Sequence, residues 1–493
     1  MVNFKTPPFA GVVAILILSA CSSSSNTPAA TSEISWESCI DIPSLDCSSI
    51  EVPLDYNDED GEKINIGLRR RAADNAESTR LLLLNPGGPG APGIRLLNDL
   101  VRQNQLPERI RENFNVVGFD PRGVGESGPV DCSEFGLSSQ SSYPTDKEDI
   151  SELVIATTNA ANACSEKYGD YLLHLGTNNA ASDMEAIRKA SNADKLDFLG
   201  YSYGVRLGAV YLQNFPQTSG AFVLDGVLPP TSSASYLSSG SVTAMQRNLD
   251  ELLAGCAELD EPCEPALLKQ QLQARADYFV QVFESETLPP EFESADALEE
   301  EVDLLLYVLT VVGTEASLAE FALLPLVGYL QSYDSQFLEQ FVEFLQMLQG
   351  SSSDEEDGLG DETATIAVQC ADDAERPTVD SLYALLQDMN NSSDLYAETG
   401  ISLAAICAGW PDAILPVEPI STDTAPQALL IGGTTDAQTP IEWLPEMTVA
   451  IGGISITSSH FGHTVVFTEA SSCVDNQVID FLVDQTSPVD FTC

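Results

Sequence analysis

The residues of this chain best arranged for chemistry are a serine set between glycines, a late aspartate and a later histidine. Gly200-Tyr201-Ser202-Tyr203-Gly204 follows the apolar run LDFLG and precedes the helical pattern VRLGAVYLQNF. A serine at a tight strand-to-helix turn crowds the residues two before and two after it. Glycines there relieve the crowding and push the hydroxyl into a cleft. GxSxG alone recurs by chance, but the strand–turn–helix setting marks Ser202 as a nucleophile. Serine needs a base, and the chain has three histidines, His174, His460 and His463. With this kind of turn the chain order is serine, acid, histidine, which demotes His174. His463, in Gly462-His463-Thr464 just after the last expected strand, is favoured over His460, which reads as an ordinary satisfied residue. The acid belongs in a loop after the strand before the histidine. ALLIGG (428–433) runs into Thr434-Thr435-Asp436, so Asp436 is expected to fix the imidazole tautomer, with Glu442 and Glu446 as competitors. The three residues point to acyl transfer through a serine ester. Its tetrahedral intermediate needs backbone N–H donors: one from Tyr203, and one from Gly88 in the loop Asn85-Pro86-Gly87-Gly88-Pro89-Gly90, where Gly87 and Gly90 shape the turn.

Such residues must be carried on the ends of strands that share one edge. The sequence offers Leu81–Asn85, Asn115–Asp120, Leu196–Gly200, Ala221–Asp225, Ala428–Gly433 and Gly452–Thr457 as buried strands, with helical stretches such as Ser182–Ala190 and Val205–Asn214 between them. This alternation is the rhythm of an α/β chain with a doubly wound, mostly parallel sheet. It stops after Pro229-Pro230. From about 231 to 420 the pattern is helical, with long amphipathic runs at Ala297–Val312 and Ser332–Leu348 and an acidic loop, SSSDEEDGLGDE, at 351–362. The expected organisation is a core over 36–230, a helical lid over 231–420 and a closing part of the core over 421–493.

With 493 residues, 43% of them hydrophobic, the chain can build a large core and an inserted domain. Its 75 acidic residues against 21 basic ones give a net charge of -54, which repels nucleic acid and anionic lipid head groups. The acid is spread along the whole chain, so it reads as a solvating shell rather than a trap for cationic substrates. At the start, Lys5 precedes the apolar stretch Gly11–Leu18, which is too short to span a membrane. Leu18-Ser19-Ala20-Cys21 and the polar tether that follows to residue 35 resemble a bacterial lipoprotein signal. Residues 1–20 would be removed and Cys21 lipidated, leaving an exported protein held on a bacterial membrane by its lipid alone. An ordinary secretory signal is the alternative. Setting Cys21 aside, the remaining ten cysteines of eleven form an even set, so disulfides are expected. Close pairs are Cys39–Cys47, Cys256–Cys263 and Cys473–Cys493; Cys132–Cys164 and Cys370–Cys407 would complete five bridges, although spacing alone does not fix connectivity. No CxxC or Cys/His spacing suggests zinc, and no metal or cofactor is expected.

Taken together these residues resemble the tripeptidyl aminopeptidase branch of the prolyl-iminopeptidase-like α/β-hydrolases. The resemblance covers most of the mature chain. It rests on Trp36 with Cys39 and Cys47, Val52-Pro53-Leu54-Asp55-Tyr56, LLLLNPGGPG (81–90) and Phe119-Asp120-Pro121-Arg122-Gly123-Val124-Gly125-Glu126-Ser127. It continues with Thr177, Asp183 and Arg188, Leu224-Asp225-Gly226-Val227, Cys407-Ala408-Gly409-Trp410, the Asp436 loop and Gly462-His463. One departure is Ala91-Pro92-Gly93, where the family usually has a serine and a glycine; the lid matches least. The resemblance implies the α/β-hydrolase fold and an exopeptidase that releases a short N-terminal peptide, or a single residue, from a peptide with a free N-terminus. The residues themselves reach only an acyl-transferring hydrolase, because this fold also hosts esterases and lipases. A carboxylesterase and, further off, a non-catalytic binding lipoprotein stay open. An exopeptidase also needs a carboxylate for the substrate ammonium. Asp372, in Cys370-Ala371-Asp372-Asp373, is expected to supply it, held rigid by a disulfide at Cys370.

Overall fold

Runs such as LLLLN and LDFLGY are too apolar to tolerate water on either face, and chains of this kind form parallel strands covered on both sides. In the computed structural model, which describes residues 33–58, 60–136, 144–258, 263–285, 287–292, 294–314, 316–349, 362–393, 395–422, 428–460, 462–486 and 491–493, they are the middle of a ten-stranded sheet. The strands are β1 (Glu37–Ser38), β2 (Asp46–Pro53), β3 (Lys63–Arg71), β4 (Leu81–Asn85), β5 (Asn115–Phe119), β6 (Leu196–Tyr201), β7 (Ser219–Asp225), β8 (Ala428–Gly433), β9 (Ile454–Ser458) and β10 (Phe491–Thr492). Their spatial order is β1-β2-β3-β5-β4-β6-β7-β8-β9-β10. The first three strands pair antiparallel, as does β3 with β5; from β5 through β10 every pairing is parallel. All six expected strands are present as β4 to β9. β1, β2, β3 and β10 are additional.

The parallel register decides where the site forms. Asn85 lies opposite Gly200, Tyr201 opposite Asp225, Asp225 opposite Ile431 and Gly433 opposite Ser458. The carboxyl ends of β4, β6, β7, β8 and β9 therefore share one edge, where an open α/β sheet presents its functional loops. Leu82, Leu84, Leu199, Val223 and Ile431 bury one face of the sheet, and Leu83, Phe198, Phe222 and Leu430 bury the other.

Between β7 and β8 the chain is helical, as expected. The helices are Ala234–Gly255, Pro265–Ser285, Ala295–Thr314, Ala316–Ser332, Gln336–Gln349, Glu362–Asp372, Val379–Met389 and Ala397–Ala404. All but Glu362–Asp372 build a core of their own from residues that include Leu249, Leu253, Val308, Val312, Leu326, Phe341, Leu386 and Ile401. Two details differ from the sequence reading. The run Ser332–Leu348 is not one helix, because Tyr333 adopts φ 54° and separates two helices. Glu362–Asp372 does not belong to the insert's core. Ala364, Ile366, Ala367, Val368 and Cys370 pack into the same cluster as Phe198 and Phe222, so the segment joins the main body well before residue 421. The acidic segment at 351–361 lies outside the described residues; Glu362 opens the helix after it.

All five expected disulfides are formed: Cys39–Cys47, Cys132–Cys164, Cys256–Cys263, Cys370–Cys407 and Cys473–Cys493. Five bridges mark a chain that folds in an oxidising compartment. Cys21 and residues 1–20 lie outside the described residues. Among the described residues no helix is long and apolar enough to cross a membrane.

Candidate active site

Ser202 stands between β6 and the helix Tyr203–Asn214 with φ 54° and ψ -118°. This backbone region is strained for a residue with a side chain and persists only where the surroundings enforce it. Here they do. The Ser202 N–H donates to the Asp225 carbonyl at 2.8 Å. A Cβ on Gly200 would come within 2.6 Å of the Gly204 carbonyl oxygen, and one on Gly204 within 2.9 Å of Asn85 Oδ1. The glycines two before and two after the serine are therefore required by contact, as the motif implies.

The loop after β4 passes directly over this turn. Gly87 has φ +97°, and a Cβ there would lie 2.9 Å from the Ser202 Cβ and 3.3 Å from the Tyr203 nitrogen. Gly88, Ser202 and Tyr203 line one cavity of about 240 Å³. The arrangement brings Ser202 and the two residues expected to supply N–H donors to the same space.

His463 and Asp436 are joined. The imidazole Nδ1 and Asp436 Oδ2 are 2.8 Å apart, and the aspartate is fully buried. Its Oδ1 accepts the Gln438 and Thr439 amides at 2.9 Å each, and its Oδ2 also accepts the Thr439 hydroxyl at 2.6 Å. With an Nδ1 proton donated to this carboxylate, Nε2 would be left facing away as the basic nitrogen, the tautomer expected of a triad histidine. Neither competing glutamate approaches the histidine. Glu442 pairs with Arg247 at 2.5 Å, and Glu446 accepts the Tyr236 hydroxyl at 2.9 Å, both at exposed positions. His174 closes a short 3-10 turn and offers its carbonyl to Arg122.

Asp372 is where the structure departs from the expectation. It does not line the cavity. It is fully buried, its Oδ1 accepts the Thr177 amide at 2.7 Å, and its Oδ2 accepts the Thr177 hydroxyl. That hydroxyl lies 2.6 Å from the Tyr203 phenol. Burial pushes the carboxyl up to about 6, while the Arg206 charge and the Thr177 bonds act in the opposite direction. The side chain is turned inward because the helix Glu362–Asp372 packs on the main core. It fastens that helix to the elbow and lies outside the cavity wall.

The cavity walls are largely apolar: Leu228, Ala234, Leu237, Leu403, Ile406 and Trp443, joined by Ser238, Ser241, Thr365, Gln369, Gln438 and the buried Arg206. No carboxylate is among these described lining residues. Sequence reasoning missed Thr439 and Thr177. Thr439 had a usable signal, since an aspartate at the start of a turn commonly accepts the backbone N–H groups just after it, as Asp436 does from Gln438 and Thr439. Thr177 stood in a matching block but without a role, because its partner lies 195 residues away.

Residues 80–304 match the family model described as alpha/beta hydrolase fold, and residues 393–493 match the one described as TAP-like protein. Serine protease Hip1 of Mycobacterium tuberculosis is 28% identical over 463 residues, covering 90% of this chain and 86% of that protein. Tripeptidyl aminopeptidase of Streptomyces lividans is 34% identical over 213 residues, 41% of this chain and 40% of that protein. Carboxylesterase B of M. tuberculosis is 26% identical over 487 residues, 94% of this chain and 90% of that protein. Fold and site together define a serine hydrolase of the α/β-hydrolase fold. Over residues 393–493 it is similar to the TAP-like proteins.

Proposed function

We propose that this enzyme is a serine exopeptidase that removes short peptides or single residues from a free N-terminus, with Ser202, His463 and Asp436 as its triad. The observation that carries the triad is the buried Asp436 bonded to His463, on the sheet edge that also presents the strained Ser202. His463 Nε2 takes the Ser202 proton as the oxygen attacks the scissile carbonyl. The oxyanion that forms is held by the N–H groups of Gly88 and Tyr203. His463 then passes its proton to the departing amine, and the N-terminal portion stays on Ser202 as an ester. Water, deprotonated by the same imidazole, releases that portion as a free acid. The peptidase preference is drawn from the likeness to a serine protease and to a tripeptidyl aminopeptidase.

A carboxylesterase is the second reading, favoured by the apolar cavity wall and by the likeness to carboxylesterase B. One panel separates the two: peptide amides with free N-termini, their N-acetylated counterparts and p-nitrophenyl esters. Cleavage of free peptides at least about tenfold faster than acetylated ones supports the exopeptidase. Equal rates, or ester cleavage alone, move the esterase to the front.

We also infer that the protein is anchored by a lipid on Cys21 after loss of residues 1–20. The lipoprotein-like start and the five disulfides support export. Mass analysis of protein from a Gram-negative host should find a diacylglyceryl group on Cys21. A soluble product beginning at another residue contradicts the anchor.

A further inference from the structure

Asp225, the last residue of β7, touches both halves of the site. Its carbonyl oxygen accepts the Ser202 amide at 2.8 Å. Its carboxylate Oδ2 accepts the amides of Val465 and Val466, at 2.7 and 2.8 Å. The next residue, Gly226, lies under the imidazole: a Cβ there would come within 3.1 Å of His463 Cε1. One residue thus holds the elbow with its main chain and the histidine loop with its side chain.

A clasp of this kind does not require a charge, since a neutral amide oxygen could accept both N–H groups. A carboxylate buried without compensation is costly, and Asp225 is only 1% exposed. We propose that Asp225 is a positioning residue whose negative charge also serves, beside Asp436, as a second counter-charge for the imidazolium that forms on His463 during the reaction. Burial pushes the Asp225 carboxyl up to about 6; the two amides and the His463 charge pull it down, and Asp436 raises it. It therefore stays ionised at neutral pH. The other groups around this junction leave the role to Asp225. The Tyr201 hydroxyl donates to the Val466 carbonyl at 3.0 Å, and Asp475 accepts the Phe467 amide at 2.8 Å. The proposal rests on the triad assignment and not on the choice between peptide and ester.

The test is Asp225→Asn in the full, disulfide-intact protein. Both amides bond to one carboxylate oxygen, so the asparagine carbonyl can keep both bonds while the charge is lost. The readout is the rate of covalent labelling by a fluorophosphonate from pH 4 to 9, which needs no knowledge of the substrate. A carboxylate beside an imidazole favours its protonated form. Without the charge, the acidic limb of the profile should move down by about one pH unit and the plateau rate should fall roughly tenfold. Asp225→Ala, which also loses the clasp, should fall by at least about a hundredfold. An acidic limb at the wild-type pH in Asp225→Asn overturns the proposal and leaves a structural clasp alone. Should the asparagine variant not fold, Asp225→Ser is read by the same limb. A wild-type protein that takes no label sinks the triad reading itself.

Discussion

Asp372→Asn should change how stability depends on pH while leaving the recognition of substrate N-termini intact. The wild-type carboxyl is raised from 3.8 to about 6 by burial. A folded-state value above the unfolded one means that the folded chain holds this proton more tightly. The stabilisation is complete below about pH 4 and is lost as pH rises through about 6. A gap of roughly two units at 1.36 kcal/mol each is about 3 kcal/mol. Asparagine does not titrate, so the wild type should lose about 3 kcal/mol relative to the variant between pH 4 and pH 7. Asp120 and Asp225 are also raised to about 6 by burial, but both proteins contain them and their contributions cancel. Guanidinium unfolding at four pH values, with the disulfides intact, reads the difference from the two midpoints and slopes. Curves that stay parallel within 1 kcal/mol (on the order of the method's error) would refute the buried, titrating carboxylate. Asp372 lies behind Thr177 and outside the cavity wall, so the variant should keep the wild-type ratio of free to N-acetylated peptide cleavage. A collapse of that ratio would restore Asp372 as the ammonium partner.

Three other outcomes follow from the site and its supports. Asp436→Asn presents an amide N–H to His463 Nδ1, forces the proton onto Nε2 and should lower kcat about 10⁴-fold with little change in melting temperature. In Gly200→Ala the new methyl meets the Gly204 carbonyl at 2.6 Å and the Phe198 ring at 2.5 Å. That variant should yield little folded protein by circular dichroism, and wild-type yield and activity would contradict the contact. Removing the Cys473–Cys493 bridge, which closes a loop over a separation of 20 residues, should cost about 2–4 kcal/mol in denaturant unfolding. It should spare kcat, because β10 lies at the sheet edge beyond β9.

The central strands, the strained turn at Ser202 and the Asp436–His463 pair were legible in the sequence because each is set by a local rule. Leu81–Asn85 is buried throughout, and a short apolar run bounded by turn residues has few other readings. The elbow glycines are fixed by contacts within a few residues. β2 and β3 were missed because their burial is mixed and their exposed positions carry Glu51, Lys63 and Asn65, which blur the strand signal. Asp225 was quoted as part of a matching block but given no role, since one aspartate among 75 acidic residues shows nothing until the fold brings Val465 to it. The inward turn of Asp372 toward Thr177 was hidden for a related reason. The nearby Cys370 correctly implied rigidity, but which way a rigid side chain points depends on the face its helix buries. That face was fixed by packing against strands some 150 residues earlier.

The most direct test of the account is fluorophosphonate labelling of four proteins side by side: wild type, Ser202→Ala, His463→Ala and His460→Ala. Wild type and His460→Ala should label at similar rates, with the adduct mapped by peptide mass to Ser202. Ser202→Ala should take no label, and His463→Ala should be slower by roughly 10⁴-fold or more, with turnover of peptide and ester substrates falling in parallel. An adduct on another residue, or a Ser202→Ala enzyme that keeps more than about a hundredth of wild-type turnover against the loss of that size, would contradict the assignment of this site as the catalytic one.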